Sequence, residues 1–91
     1  MSCPVRAEAW EELGSGGLKM LLAIYETGGE ADLVTVAYAA RIGRTGWYRL
    51  KEVLKKYGFA EEVDDGRKLR LTQKGQEAGA ILMKFDELLQ P

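Results

Sequence analysis

The densest apolar pattern runs from Val34 to Tyr57, VTVAYAARIGRTGWYRLKEVLKKY. It predicts two helices bent about a turn. A short, alanine-rich helix covers roughly Thr35 to Ile42, with Tyr38, Ala39 and Ile42 facing inward. Gly43 breaks it and fits the φ > 0 turn; the chain restarts at Arg44, with Thr45 as N-cap. The second helix runs to about Tyr57, burying Trp47, Leu50, Leu54 and Tyr57. Its other side carries Thr45, Tyr48, Arg49, Glu52, Lys55 and Lys56. Gly46, in the first turn, weakens that helix by roughly 1 kcal/mol relative to alanine. It is either tolerated at a helix start or kept bare so that the backbone approaches a phosphate.

Toward the N-terminus, Met1 to Pro4 reads as a loose end and Val5 to Leu13 as a short helix. Trp10, too large and apolar to be left in water without reason, either caps the core or lies in a subunit interface. Gly14-Ser15-Gly16-Gly17 reads as a flexible joint. A helix then covers Leu18 to Thr27, with Leu18, Leu21, Leu22 and Tyr25 inward and Ile24 beside them. Gly28-Gly29 stops it, Glu30 to Leu33 connects, and Asp32 or Thr35 caps the next helix.

Beyond Gly58, Phe59 to Val63 and Arg67 to Leu71 read as two strands around Asp64-Asp65-Gly66, a hairpin pattern. Leu69 and Leu71 alternate with Lys68 and Arg70, so one side is buried and the other basic. Thr72 caps a last amphipathic helix, Gln73 to about Leu89, whose apolar positions are Ala78, Ile81, Leu82, Phe85, Leu88 and Leu89. The order is a three-helix core, a two-stranded β-hairpin and a C-terminal helix. This is a mostly helical α+β winged helix-turn-helix arrangement in which the hairpin is the wing. Residues 1–91 form one domain: an extension (1–17), the winged helix-turn-helix (18–74) and a C-terminal helix (75–91).

Composition narrows the chemistry. The chain lacks histidine and has one cysteine, Cys3. That removes the commonest general base, Ser-His and Cys-His nucleophile pairs, an internal disulfide and any ordinary zinc site. No enzyme, cofactor or metal is expected. With no apolar run near ~18 residues, no membrane span is expected, and a reducing cytoplasm fits best. Net charge is −1, but it is unevenly spread: −4 over residues 1–40, +5 over 41–74 and −2 over 75–91. The basic stretch coincides with the helix-turn-helix, so a nearly neutral chain can present a face that steers a polyanion.

From Tyr38 to Gly75 the chain resembles prokaryotic winged helix-turn-helix regulators of the MarR-like and related archaeal type. YAARIG (38–43), RTGWYRLKEVLKKYGFAEE (44–62) and LRLTQKG (69–75) carry the resemblance. Arg49, Leu50, Leu54 and Gly58 fall at the family's arginine, leucine and glycine places. The family's small hydroxyl residues before that arginine are here Gly46, Trp47 and Tyr48, and the wing tip, Asp64-Asp65, is acidic where many are basic.

The resemblance implies a nucleoid-associated regulator that places helix 45–57 in the major groove of double-stranded DNA. Arg44, Thr45, Tyr48 and Arg49 would touch base or phosphate. Lys51, Lys55 and Lys56 would anchor phosphate or stay as solvated charges, and Arg67, Lys68 and Arg70 would grip the flanking backbone. For Arg49 the alternative is an ion pair with Glu52 or Glu26. The stripe Ile81, Leu82, Phe85, Leu88 and Leu89, with Trp10, would form a homodimer interface; its alternative is packing within one domain. The competing function is a protein-interaction winged helix in a transcription, replication or membrane-remodelling assembly.

Overall fold

The computed structural model describes residues 5–91; Met1 to Pro4, read as a loose end, and Cys3 lie outside them. The elements are α1 (Ala7–Glu26), β1 (Glu30–Asp32), α2 (Leu33–Ala40), α3 (Arg44–Lys56), β2 (Ala60–Val63), β3 (Lys68–Leu71) and α4 (Gln73–Leu88). The three strands form an antiparallel sheet in the order β1-β3-β2.

Two expected N-terminal helices run together as α1. Only Gly14 leaves the helix, at φ 58° and ψ −174°. Gly16 and Gly17 are helical and serve packing. A β-carbon on Gly16 would meet Leu50 Cδ1 at 3.2 Å, and one on Gly17 would meet Leu13 Cδ2 at 3.1 Å. The glycine run that reads as a flexible joint is therefore a kink followed by a close crossing of α1 over α3. The inward face of α1 after the kink is Met20, Leu21, Ala23 and Ile24, with Leu18 and Tyr25 at its margin.

Both glycine stops hold. At the end of α1, Gly29 N–H donates to Ile24 O (2.9 Å) and Gly28 N–H to Tyr25 O (3.2 Å). At the end of α3, Phe59 N–H donates to Leu54 O (2.9 Å) and Gly58 N–H to Lys55 O (3.0 Å). Each pair closes a helix through a glycine of positive φ, Gly28 at 94° and Gly58 at 76°.

Glu30 to Asp32, expected as connection, pairs with β3 in the register Glu30↔Arg70, Ala31↔Leu69 and Asp32↔Lys68. Three residues are too few to show alternation, so only the neighbouring strand reveals this one. Asp32 then caps α2 by accepting from Thr35 N–H at 2.9 Å, which holds its carboxyl below the usual range.

The inward phase of α2 differs from the expected one. Val36 and Ala40 are buried, whereas Tyr38 is 90% exposed and Ala39 is exposed. Nearly every residue of LVTVAYAA is apolar, so periodicity carries no phase there. Ile42 is buried but beyond the helix. The positive-φ turn falls on Arg41 (φ 56°, ψ 46°). Gly43 is extended (φ −77°, ψ 176°) and is itself the N-cap of α3, so Thr45 lies inside the helix. Gly46 is small for a packing reason: a β-carbon there would meet Ile42 Cγ2 at 2.8 Å.

Leu50, Leu54, Leu69, Val36, Met20, Leu21 and Ile24 are fully buried and join α1, α2, α3 and the sheet in one core. The wing turns through Asp64 and Asp65, at φ 53° and 56°, with Gly66 N–H donating to Val63 O at 3.1 Å. Three successive positive φ values, continuing at Gly66 (φ 82°), carry the chain through the four residues between the paired Val63 and Lys68. Thr72 caps α4 as expected, its Oγ1 accepting from Gly75 N–H at 3.1 Å.

Candidate nucleic-acid interface

The buried positions Trp47, Leu50, Lys51 and Leu54 fix the rotation of α3 and turn Arg44, Thr45, Tyr48, Arg49 and Glu52 to solvent. Trp47 is 2% exposed and belongs to the core. Arg49 pairs with neither Glu52 nor Glu26. Among the described residues Arg44, Arg49, Arg67 and Lys68 make no ion pair. Charges without an internal partner are the ones able to exchange counterions for phosphate.

Four other expected contacts are engaged inside the protein. Lys55 Nζ lies 2.8 Å from Glu62 Oε1 and 3.2 Å from Glu52 Oε2. Lys51 Nζ lies 3.5 Å from the same Glu62 oxygen, with its side chain only 11% exposed. Arg70 pairs with Glu30 at 3.7 Å and Glu61 at 3.8 Å, partners that β1 and β2 bring to either side of β3. Hydrogen bonds from Lys55 hold Glu62 below the usual carboxylate range, and Glu62 in turn raises Lys55. Lys56 points toward α1, where it and the Tyr57 hydroxyl both donate to Glu12. Lys56 first, then Tyr57, lowers the Glu12 carboxyl.

A cleft of about 530 Å³ separates the exposed face of α3 from the wing, lined by Tyr48, Lys51, Glu62, Asp65 and Arg67 among others. On the other flank, Val34, Tyr38 and Arg44 line a shallow groove between α2 and α3. Tyr38 therefore stands beside Arg44 on this flank, and Arg41 is exposed in the turn between α2 and α3; neither was expected at the interface. Tyr38 was hidden by the phase of α2. Arg41 carried a signal in the basic run but fell within the expected helix Thr35 to Ile42, where the chain instead turns.

The second candidate surface is on α4. Its inner face is made of small residues: Gly75 and Gly79 are buried, and a β-carbon on Gly79 would lie 2.5 Å from the Tyr25 ring. Ile81, Phe85, Leu88 and Leu89 are consequently exposed, while Leu82 is half-buried. Trp10, also exposed, lines an apolar groove with Leu13, Leu18, Ile81 and Leu82. Among the described residues, no three acidic or cysteine side chains converge to hold a metal ion, and no helix is long and apolar enough to cross a membrane.

No protein-family model and no curated protein matches the sequence. Solved structures do share the fold. One is a MarR family transcriptional regulator from Silicibacter pomeroyi, with 24% identity and a TM-score of 0.69 over 90% of this chain. Another MarR family regulator from that organism has 22% identity and a TM-score of 0.64 over 92% of this chain. A third is Sso10a-2, a DNA-binding protein from Sulfolobus solfataricus, with 18% identity and a TM-score of 0.61 over 78% of each chain. This chain spans 57% and 66% of the two regulators' lengths. The likeness establishes the winged helix-turn-helix fold of MarR type that the sequence resemblance implied.

Proposed function

We propose that this protein is a DNA-binding transcriptional regulator without catalytic activity, acting in the cytoplasm on the nucleoid. The N-terminal half of α3 enters the major groove, and the wing lies on the flanking backbone. One observation carries the reading: Arg44 and Arg49 project from the exposed face of α3 with no ion pair among the described residues, in a fold that offers this helix outward. Arg44, Arg49 and Tyr48 reach base edges or phosphate, Thr45 bonds phosphate, and Arg67 and Lys68 hold the backbone beside them. DNA binding by the similarly folded Sso10a-2 and the regulatory role of the MarR neighbours support it.

Salt dependence tests the reading. With four free cations on phosphate, affinity for a short duplex falls on the order of 10²-fold between 50 and 200 mM salt, a slope near −0.9 per contact. Affinity that ignores salt would sink it. It would favour a protein-interaction module, for which the exposed acidic wing tip, Asp64-Asp65, is the supporting feature.

The same reading includes a second copy of the chain. Residues 1–17 and 75–91 flank the DNA-reading unit 18–74, and the exposed Ile81, Phe85, Leu88 and Leu89, with Leu82 and Trp10, form a homodimer interface. Two readers then meet half-sites roughly 34 Å apart. Phe85→Lys places a charge in that interface, and sedimentation is expected to drop from the dimer to the monomer mass. An unchanged mass would remove this interface.

A further inference from the structure

One carboxylate stands between the reading helix and the wing. Glu62 lies on β2, opposite Leu69 of β3, and its Oε1 is within 2.8 Å of Lys55 Nζ and 3.5 Å of Lys51 Nζ. Its other oxygen leans on the wing turn, 3.1 Å from where a β-carbon on Gly66 would sit. The Lys51 ammonium is further confined by two rings of its own helix, 5.2 Å from the centroid of Tyr48 and 6.0 Å from that of Trp47. Lys51 and Glu62 line the cleft a duplex would border, and Lys55 follows one turn further along α3.

We infer that Glu62 is an affinity-setting residue: it occupies Lys51 and Lys55 as a phosphate would, and so withholds two cations of the reading helix from DNA. The inference rests on the DNA-binding reading. A carboxylate already at hydrogen-bond distance competes with phosphate for the same ammonium protons. It comes from a strand fixed in register and already orders both lysines, so a phosphate must break a formed contact before making its own. The free arginines are left to dominate binding, and the wing is tied to the helix it accompanies.

The test is the salt slope of duplex binding by the whole chain, in parent, Glu62→Gln, Lys55→Gln and the double variant. Glu62→Gln is expected to bind an arbitrary duplex more tightly. It gains on the order of tenfold at about 50 mM salt for each released lysine, and its slope steepens by about one per lysine. Lys55→Gln alone leaves the slope unchanged, because Lys55 contributes no phosphate contact. In the Glu62→Gln background the same change removes about one unit of slope. Simple relief of repulsion by Glu62 would make Lys55→Gln act equally in both backgrounds, which overturns the inference. So does a slope lost on Lys55→Gln alone, a readout that does not depend on how Glu62→Gln folds. A parent chain that shows no salt-dependent binding defeats the DNA reading itself. A parent that binds steeply, with Glu62→Gln unchanged, defeats only the role of Glu62.

Discussion

Gly75→Ala is expected to lower stability by about 2 kcal/mol, although the change raises helix propensity. Gly75 lies in the first turn of α4, and alanine there would favour the helix by up to ~1 kcal/mol. The tertiary contact reverses the sign. A β-carbon on Gly75 would stand 2.0 Å from the carbonyl oxygen of Phe59, 3.0 Å from its carbonyl carbon and 3.2 Å from Leu71 Cβ. The first two are backbone atoms, so no rotamer change relieves the overlap, and such overpacking costs typically 1–3 kcal/mol. Moving α4 away also strains two bonds that share the joint: Gly75 N–H to Thr72 Oγ1 at 3.1 Å, and Thr72 N–H to Phe59 O at 3.0 Å. Loss of the threonine cap adds about 1 kcal/mol. In a domain this small the expected drop in Tm is roughly 10 °C. Gly43→Ala is the control, since Gly43 is extended with open space around its β-carbon position. Thermal unfolding of both variants decides the matter. A Gly75→Ala chain as stable as the parent would mean that α4 does not approach Phe59 this closely.

Arg49→Ala carries the largest expected effect on binding. Arg49 is exposed on α3, within the first two turns, and no carboxylate among the described residues holds it. If it reads a guanine edge, its loss costs about 1–3 kcal/mol, or roughly 5- to 150-fold in affinity, and relaxes sequence preference at that base pair. If it holds phosphate, affinity falls evenly across sequences and the salt slope shrinks by about one. Titrating selected and scrambled duplexes at several salt concentrations separates these outcomes. Lys56→Ala is the matched comparison: Lys56 is spent on Glu12, with Nζ–oxygen distances of 2.8 and 3.0 Å, so its removal loosens α1 and leaves binding unchanged. Equal binding by Arg49→Ala and parent would take Arg49 out of the interface.

How far the sequence reaches is clearest along α3. Trp47, Leu50 and Leu54 recur at helical spacing among charged residues, and that contrast alone settles which face is buried. It therefore also settles that Arg44, Thr45, Tyr48 and Arg49 face out. The glycine stops, the Thr72 cap and the wing hairpin are equally local, since each depends on a residue's own φ or on a hydrogen bond within a few positions. The same locality failed wherever contrast was lacking. In α2 nearly every side chain is apolar, so Tyr38 was placed inward although it is 90% exposed. The glycine run at 14–17 reads as a joint in sequence because its packing partner Leu50 lies on α3 and meets Gly16 and Gly17 only where α1 crosses that helix.

Charge divides in the same way. The sequence located the basic stretch by counting, but a count does not distinguish a free cation from a paired one. Lys51 and Lys55 meet Glu62, Lys56 meets Glu12, and Arg70 meets Glu30 and Glu61 only because strand pairing and helix crossing bring these carboxylates from elsewhere in the chain. The sequence by itself determined α3 with its outward face, the wing hairpin, α4 and the glycine stops, because these follow from periodicity and backbone preference over a few residues. The tertiary structure alone decided the strand Glu30–Asp32, the outward stripe of α4 and which cations remain unpaired. Each of these depends on contacts between segments distant in sequence, and no local pattern encodes them.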